Sequence, residues 1–212
     1  MTTTMPRRLS EGERRTMLVE AAEGVFLAQG YAAASMDDVA QAAGMSKKTL
    51  YHLYASKEVL FDAVVERFCA PMQDAVEPTT LSKRAVLIGL LADVAGHILS
   101  PRSVALFRVI ASEVKRAPEL AAAIERNRGR KANVLQAWLA AQAAAGWLDI
   151  DDAEETAGML VGMVVGEPHM LMLLGMRQAP SSEELAARVR LAVSIFLGRH
   201  SKDGLVRDDS EV

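Results

Sequence analysis

The stretch SMDDVAQAAGMSKKTLYHLYASKEVL, Ser35 to Leu60, decides how this chain folds. Met36, Val39 and Ala40 recur at the spacing of one helical face, and Met45, Leu50 and Leu53 give the following segment an inward face of its own. Gly44 stands between them and permits a left-handed turn that ends the first helix. Ala40 is small where the second helix must cross closely, so two short helices fold against each other as a helix-turn-helix requires. With Leu50 and Leu53 turned inward, Lys47, Lys48, Tyr51 and His52 are forced outward. That outward set offers cations for phosphate, a phenol for phosphate or a base edge, and flat rings for thymine methyls.

Working outward, nearly the whole chain reads as helix, because Ala and Leu dominate and the breaks are short Gly, Pro or Ser punctuation. The pattern predicts an all-α fold of nine helices near 10–29, 36–43, 47–54, 57–76, 82–99, 102–116, 118–145, 152–175 and 182–198. Ser35 with Asp38, Ser46, Ser56 with Glu58, and Ser181 with Glu184 supply capping logic at helix starts. Segments 1–8 and 201–212 read as tails. The division that follows is residues 1–56 for the helix-turn-helix domain, 57–200 for a larger helical domain, and a tail.

At 212 residues with half of them apolar, the chain can bury a sizeable core. The net charge of −3 is unevenly spread. Residues 1–58 carry seven Lys/Arg (Arg7, Arg8, Arg14, Arg15, Lys47, Lys48, Lys57) against seven Asp/Glu, and the remainder carries 17 against 20. The N-terminal cations come in tight pairs, each able to face a phosphate; Arg14 and Arg15 are read as exposed. The one cysteine, Cys69, cannot form an internal disulfide, and the N-terminus lacks the apolar core of a signal peptide, which makes the cytoplasm the expected address. The apolar run from Gly158 to Met176 is long enough to span a bilayer. Glu167, Pro168 and His169 sit in its middle, where a charge in lipid costs at least ~2.5 kcal/mol, so no membrane partner is expected.

The run MDDVAQAAGMSKKTLYHLYASKEVL, with LVEAAEGVFLAQGYAAAS before it, resembles the N-terminal DNA-binding domain of the TetR family of transcriptional regulators. The pattern Thr49-Leu50-Tyr51, Tyr54 and Ser56-Lys57-Glu58 followed by Leu60 carries the resemblance over roughly residues 12–62. It implies that Lys47, Lys48, Thr49, Tyr51 and His52 face duplex DNA from the recognition helix, that Lys57 meets a backbone phosphate, and that Ser35 meets phosphate at the start of the preceding helix. Tyr54, more often Phe in the family, is expected in the core. The segment from Leu106 to Leu148 more loosely resembles C-terminal domains of AcrR-like members.

Ser46 to Tyr54 makes barely two turns, so a second copy is needed for affinity. A twofold homodimer places two such helices about 34–36 Å apart on a palindromic operator. Gly158, Gly162 and Gly166, at spacing four, form a strip that admits another helix, and the last helix adds Val189, Val193 and Phe196 on one face. The family's usual dimerisation through its last two helices agrees. The same resemblance implies a pocket for a small effector in the middle helices. Phe107, Ile110, Trp138, Met159, Met163 and His169 are candidates, since flexible Met and large aromatics suit an adaptable apolar cavity, although each also reads as plain core. The helix 57–76 is expected to couple the two halves, and repression is the family's usual mode.

Other classes fare worse on the same residues. The chain lacks G-x-S-x-G, H-E-x-x-H, a Walker loop and any dinucleotide fingerprint, so neither an enzyme nor a cofactor is implied. The four histidines are scattered, and Cys69 has no neighbour at metal-ligand spacing. A helical interaction protein whose helix-turn-helix reads no DNA remains as the alternative.

Overall fold

Gly44 adopts φ +64°, the left-handed conformation, and two backbone hydrogen bonds close the helix before it. The Gly44 N–H donates to the Gln41 carbonyl at 3.0 Å and the Met45 N–H to the Ala40 carbonyl at 2.9 Å. This is the Schellman arrangement, which satisfies carbonyls that a helix end leaves without partners. The computed structural model describes residues 9–68, 81–128 and 134–200. Among them lie ten helices: α1 Glu11–Gln29, α2 Met36–Ala42, α3 Lys47–Leu53, α4 Lys57–Phe68, α5 Lys83–Ile98, α6 Pro101–Glu113, α7 Glu119–Arg128, α8 Val134–Ala144, α9 Ala153–Leu173 and α10 Ser182–His200.

The fold is all-α, as expected, with one helix more than the pattern predicted. The expected helix 118–145 is two, α7 and α8, whose buried side chains belong to different compact units. Cys69, the end of the expected helix 57–76, and the tails 1–8 and 201–212 lie outside the described residues.

Two compact units divide the chain: Met1–Ala70 with Arg108–Gly129, and Pro71–Phe107 with Arg130–Val212. The expected boundary after residue 56 separated α4 from the helix-turn-helix, whereas in space α4 packs on α1 and α7 within the first unit. The reason is a shared apolar interior. Leu18, Ala22 and Phe26 of α1 meet Leu60, Phe61 and Val64 of α4, all fully or almost fully buried. Phe26, Tyr31 and Phe61 form a ring triad with centroids 5.1 to 5.6 Å apart at tilted or edge-on angles, a geometry that adds to plain area burial.

Within the second unit, α10 packs on α5 and α9, and α9 on α5 and α8. Leu87, Leu91, Leu135, Leu139, Leu160, Val164, Val189 and Val193 are sealed in its centre. The helix α9 is long and apolar enough to cross a membrane by composition, yet its residues Leu160, Val164, Val165 and Met172 line this interior.

Pro168 sits inside α9 and is itself buried. Having no N–H, it leaves the Val164 carbonyl, four residues earlier, without its helical donor. Arg188 of α10 supplies one: its Nε donates to the Val164 carbonyl at 3.0 Å, its Nη2 reaches the Met163 carbonyl at 3.5 Å, and its Nη1 lies 3.5 Å from the Glu167 carboxylate. The donor that proline removes is therefore replaced by a side chain from the neighbouring helix. Arg188→Met is expected to cost about 1–3 kcal/mol in urea unfolding, since it strands a carbonyl. The same change made in a Pro168→Ala background should cost clearly less, because the helix then supplies its own donor.

Candidate nucleic-acid interface

A seven-residue helix has little stability of its own, and α3 is held by its surroundings. Ser46 caps it, accepting from the Thr49 N–H at 3.1 Å. Leu50 and Leu53 are buried beneath it. At its far end the Leu53 carbonyl accepts from Arg15 Nη1 at 3.3 Å, and the Arg15 guanidinium lies 5.5 Å over the Tyr54 ring. Tyr54 is buried, as expected for a core aromatic.

The opposite side of α3 is open to solvent. Lys47, Lys48 and His52 are exposed, and Tyr51 is 51% exposed. Lys47 is paired with the Asp37 carboxylate at the start of α2. Thr49 is half-buried, and its hydroxyl lies 2.9 Å from that of Ser46. Ser35 is exposed and caps α2, accepting from the Asp38 N–H at 3.1 Å and donating to the Asp38 carboxylate at 2.6 Å. That hydrogen bond holds the Asp38 carboxyl below its ordinary pKa.

Lys57, expected at a backbone phosphate, is engaged elsewhere. Its ammonium donates to the carbonyls of Tyr31 at 2.7 Å, Ala34 at 3.0 Å and Ala32 at 3.3 Å, and sits 4.5 Å over the Tyr31 ring. It thus ties the α1–α2 turn to the start of α4. From α6, Glu113 accepts from the Ala32 N–H at 2.5 Å in the same turn. Burial, with Glu58 and Glu119 nearby, drives the Tyr31 phenol well above its ordinary pKa.

The residues expected to line an effector pocket differ in burial. Phe107 and His169 meet edge-on with centroids 5.2 Å apart, and burial lowers the His169 pKa by disfavouring the charged imidazolium. Its Nε2 is enclosed and has no hydrogen-bond partner among the described residues. Trp138 is buried against Trp147 in the second unit, and Ile110 is buried in the first. Met159 and Met163 are 66% and 42% exposed and line no interior, because α9 turns Leu160 and Val164 inward instead.

Half of the expected dimer set is likewise corrected. Val189, Val193 and Phe196 are part of the second unit's core, where they pack against its other helices. Gly158, Gly162 and Gly166 are exposed, and a Cβ added at any of them would meet nothing within 4 Å. On α10 the outward apolar residues are Leu191 and Ile195, 63% and 56% exposed, which the reading of the sequence passed over. Their spacing of four, off the stripe of Val189 and Val193, was the available signal.

A helix-turn-helix with a solvent-facing cationic and aromatic recognition helix, joined to a larger all-helical unit, defines the class of DNA-binding transcriptional regulators. Residues 18–64 match the family model described as bacterial regulatory proteins, tetR family, and residues 85–202 match that of the AefR-like transcriptional repressor, C-terminal domain. The chain belongs to the TetR family. The C-terminal match replaces the looser AcrR-like likeness by a nearer description.

The HTH-type transcriptional activator FasR of Mycolicibacterium smegmatis is 48% identical over 60 residues, 28% of this chain and 27% of FasR, so that match spans about a quarter of the relative's length. The HTH-type transcriptional regulator BetI of Rhizobium meliloti is 27% identical over 184 residues, 85% of this chain and 87% of BetI. The solved structure of the flavonoid-responsive regulator FrrA is 31% identical, covering 90% of this chain and 98% of its own, with a TM-score of 0.70. The family is one of DNA-binding regulators rather than enzymes, which implies the cytoplasm, where the DNA lies.

Lys57→Met is expected to lower stability by about 1–3 kcal/mol, because it removes charge-assisted bonds to three carbonyls. In urea melts and salt-titrated DNA binding together, it should move the melt and leave the dependence of affinity on salt unchanged.

Proposed function

We propose that this protein is a homodimeric repressor that binds a palindromic operator through α3 and leaves it when a small, largely apolar effector binds. The observation that carries the DNA half is the two-sidedness of α3: Leu50 and Leu53 are sealed inside while Lys48, Tyr51 and His52 stand outside. Such a helix, barely two turns long, supplies base contacts and phosphate contacts for one half-site. Thr49 and Lys47 belong to the same surface, and Ser35 stands at the exposed start of α2.

The dimer half is supported by the outward strip of Gly158, Gly162 and Gly166 on α9, with Met159 and Met163 beside it, and by Leu191 and Ile195 on α10. Glycines at spacing four let a second helix approach closely, and exposed apolar side chains around them gain by being covered. The effector half is supported by His169 beside Phe107, since the enclosed His169 Nε2 has no hydrogen-bond partner among the described residues. It is supported too by the flavonoid response that FrrA's name carries. An effector with higher affinity for the form with misplaced recognition helices drains the DNA-bound population by that difference alone.

In a mobility-shift titration with DNA from upstream of its own gene, Lys48→Ala and Tyr51→Ala should each weaken binding about 5- to 150-fold, as loss of a contact worth about 1–3 kcal/mol requires. Unchanged affinity in both variants would refute DNA reading by α3. Leu191→Glu combined with Ile195→Glu should yield folded monomers in sedimentation equilibrium, and a variant that stays dimeric would place the interface elsewhere.

A further inference from the structure

We infer that Arg14 of α1 and Lys48 of α3 form one phosphate seat, which grips the DNA backbone beside the recognition helix. The inference rests on the DNA-binding reading above and adds to it a contact from α1. Arg14, Lys48, Thr49, Tyr51 and His52 line a single cleft of the first unit, with Glu11 at its edge.

The charges around this cleft sort themselves in a simple way. Two cation doublets lie next to it in the sequence, Arg14-Arg15 and Lys47-Lys48. One member of each doublet is paired inside the protein. Arg15 holds the Glu11 carboxylate at 3.2 Å through Nε and 3.1 Å through Nη2, and it also donates to the Leu53 carbonyl. Lys47 is paired with Asp37. The other member of each doublet lines the cleft. Among the described residues the carboxylate there is that of Glu11, which Arg15 pairs, so the cleft carries the positive charge of Arg14 and Lys48.

Arg14 is also unlike a freely waving surface arginine. It is half-buried, and its Nε is enclosed and has no hydrogen-bond partner among the described residues. A guanidinium held this way is preorganised, with planar geometry suited to phosphate oxygens. Arg15, by anchoring to the end of α3, fixes the distance between the two helices that carry the seat. The neighbouring hydroxyls of Thr49 and Tyr51 add donors suited to the same anion.

A phosphate contact carries no sequence information, so it should act on all DNA alike. The test is a fluorescence-anisotropy salt series on the full-length protein, with DNA from upstream of its own gene and with a random-sequence duplex of equal length. Arg14→Gln should weaken both, and should make the slope of log affinity against log salt shallower by about 0.9 for each seat engaged. Lys48→Ala should do the same. Arg14→Lys, which keeps the charge, should hold nearly the wild-type slope. Wild-type slope in Arg14→Gln, with Lys48→Ala still impaired, overturns the seat and leaves DNA binding standing. Equal loss in Arg14→Lys and Arg14→Gln with a lowered melting temperature in both also overturns it, since packing alone would give that result. A wild-type protein that binds neither duplex refutes the DNA-binding reading itself.

Discussion

The burial of Leu50 and Leu53 against the first unit is the interaction on which the rest of this molecule depends. An isolated helix of seven residues is not stable in water, because nucleation costs more than so few hydrogen bonds return. The helix α3 exists because two leucines anchor it, Ser46 caps one end, and Arg15 ties down the other. Gly44 sets the angle at which the helix leaves α2, and the Schellman bonds close that corner without stranding a carbonyl. What faces outward on α3 is therefore fixed by what faces inward.

The surroundings of α3 show how the chain allots its charges. Lysines and arginines close in sequence have different tasks. Lys57, which sits near the recognition helix in sequence, ties the α1–α2 turn by three carbonyls. Arg15 and Lys47 are held by carboxylates that would otherwise repel an approaching phosphate. These exposed ion pairs add little to stability, since water screens them. Their effect is on placement: they set which cations remain available at the surface and where.

In the second unit the same economy applies to the backbone. Pro168 interrupts the hydrogen bonding of α9, and the carbonyl it strands is met by Arg188 from α10. The two helices are joined by a polar contact as well as by Leu160, Val164, Val189 and Val193. Once that pairing is set, the glycines, Met159, Met163, Leu191 and Ile195 are left on the outside. The surface proposed for the second copy is thus a consequence of how α9 and α10 meet.

Much of this was legible from the residues alone. The all-α class, the corner at Gly44, the caps at Ser35, Ser46 and Ser181, and the outward set Lys48, Tyr51 and His52 follow from periodicities and local hydrogen bonding within a few residues. Tertiary structure decided the rest. The helix α10 carries apolar residues on two sides, and periodicity cannot say which side is covered by the same chain; packing against α5 and α9 chose Val189, Val193 and Phe196. The roles of Lys57, Lys47 and Arg188 likewise depend on groups 23 to 26, 10 and 24 residues away. A charge finds its partner by distance in space, and spacing along the chain carries no record of it.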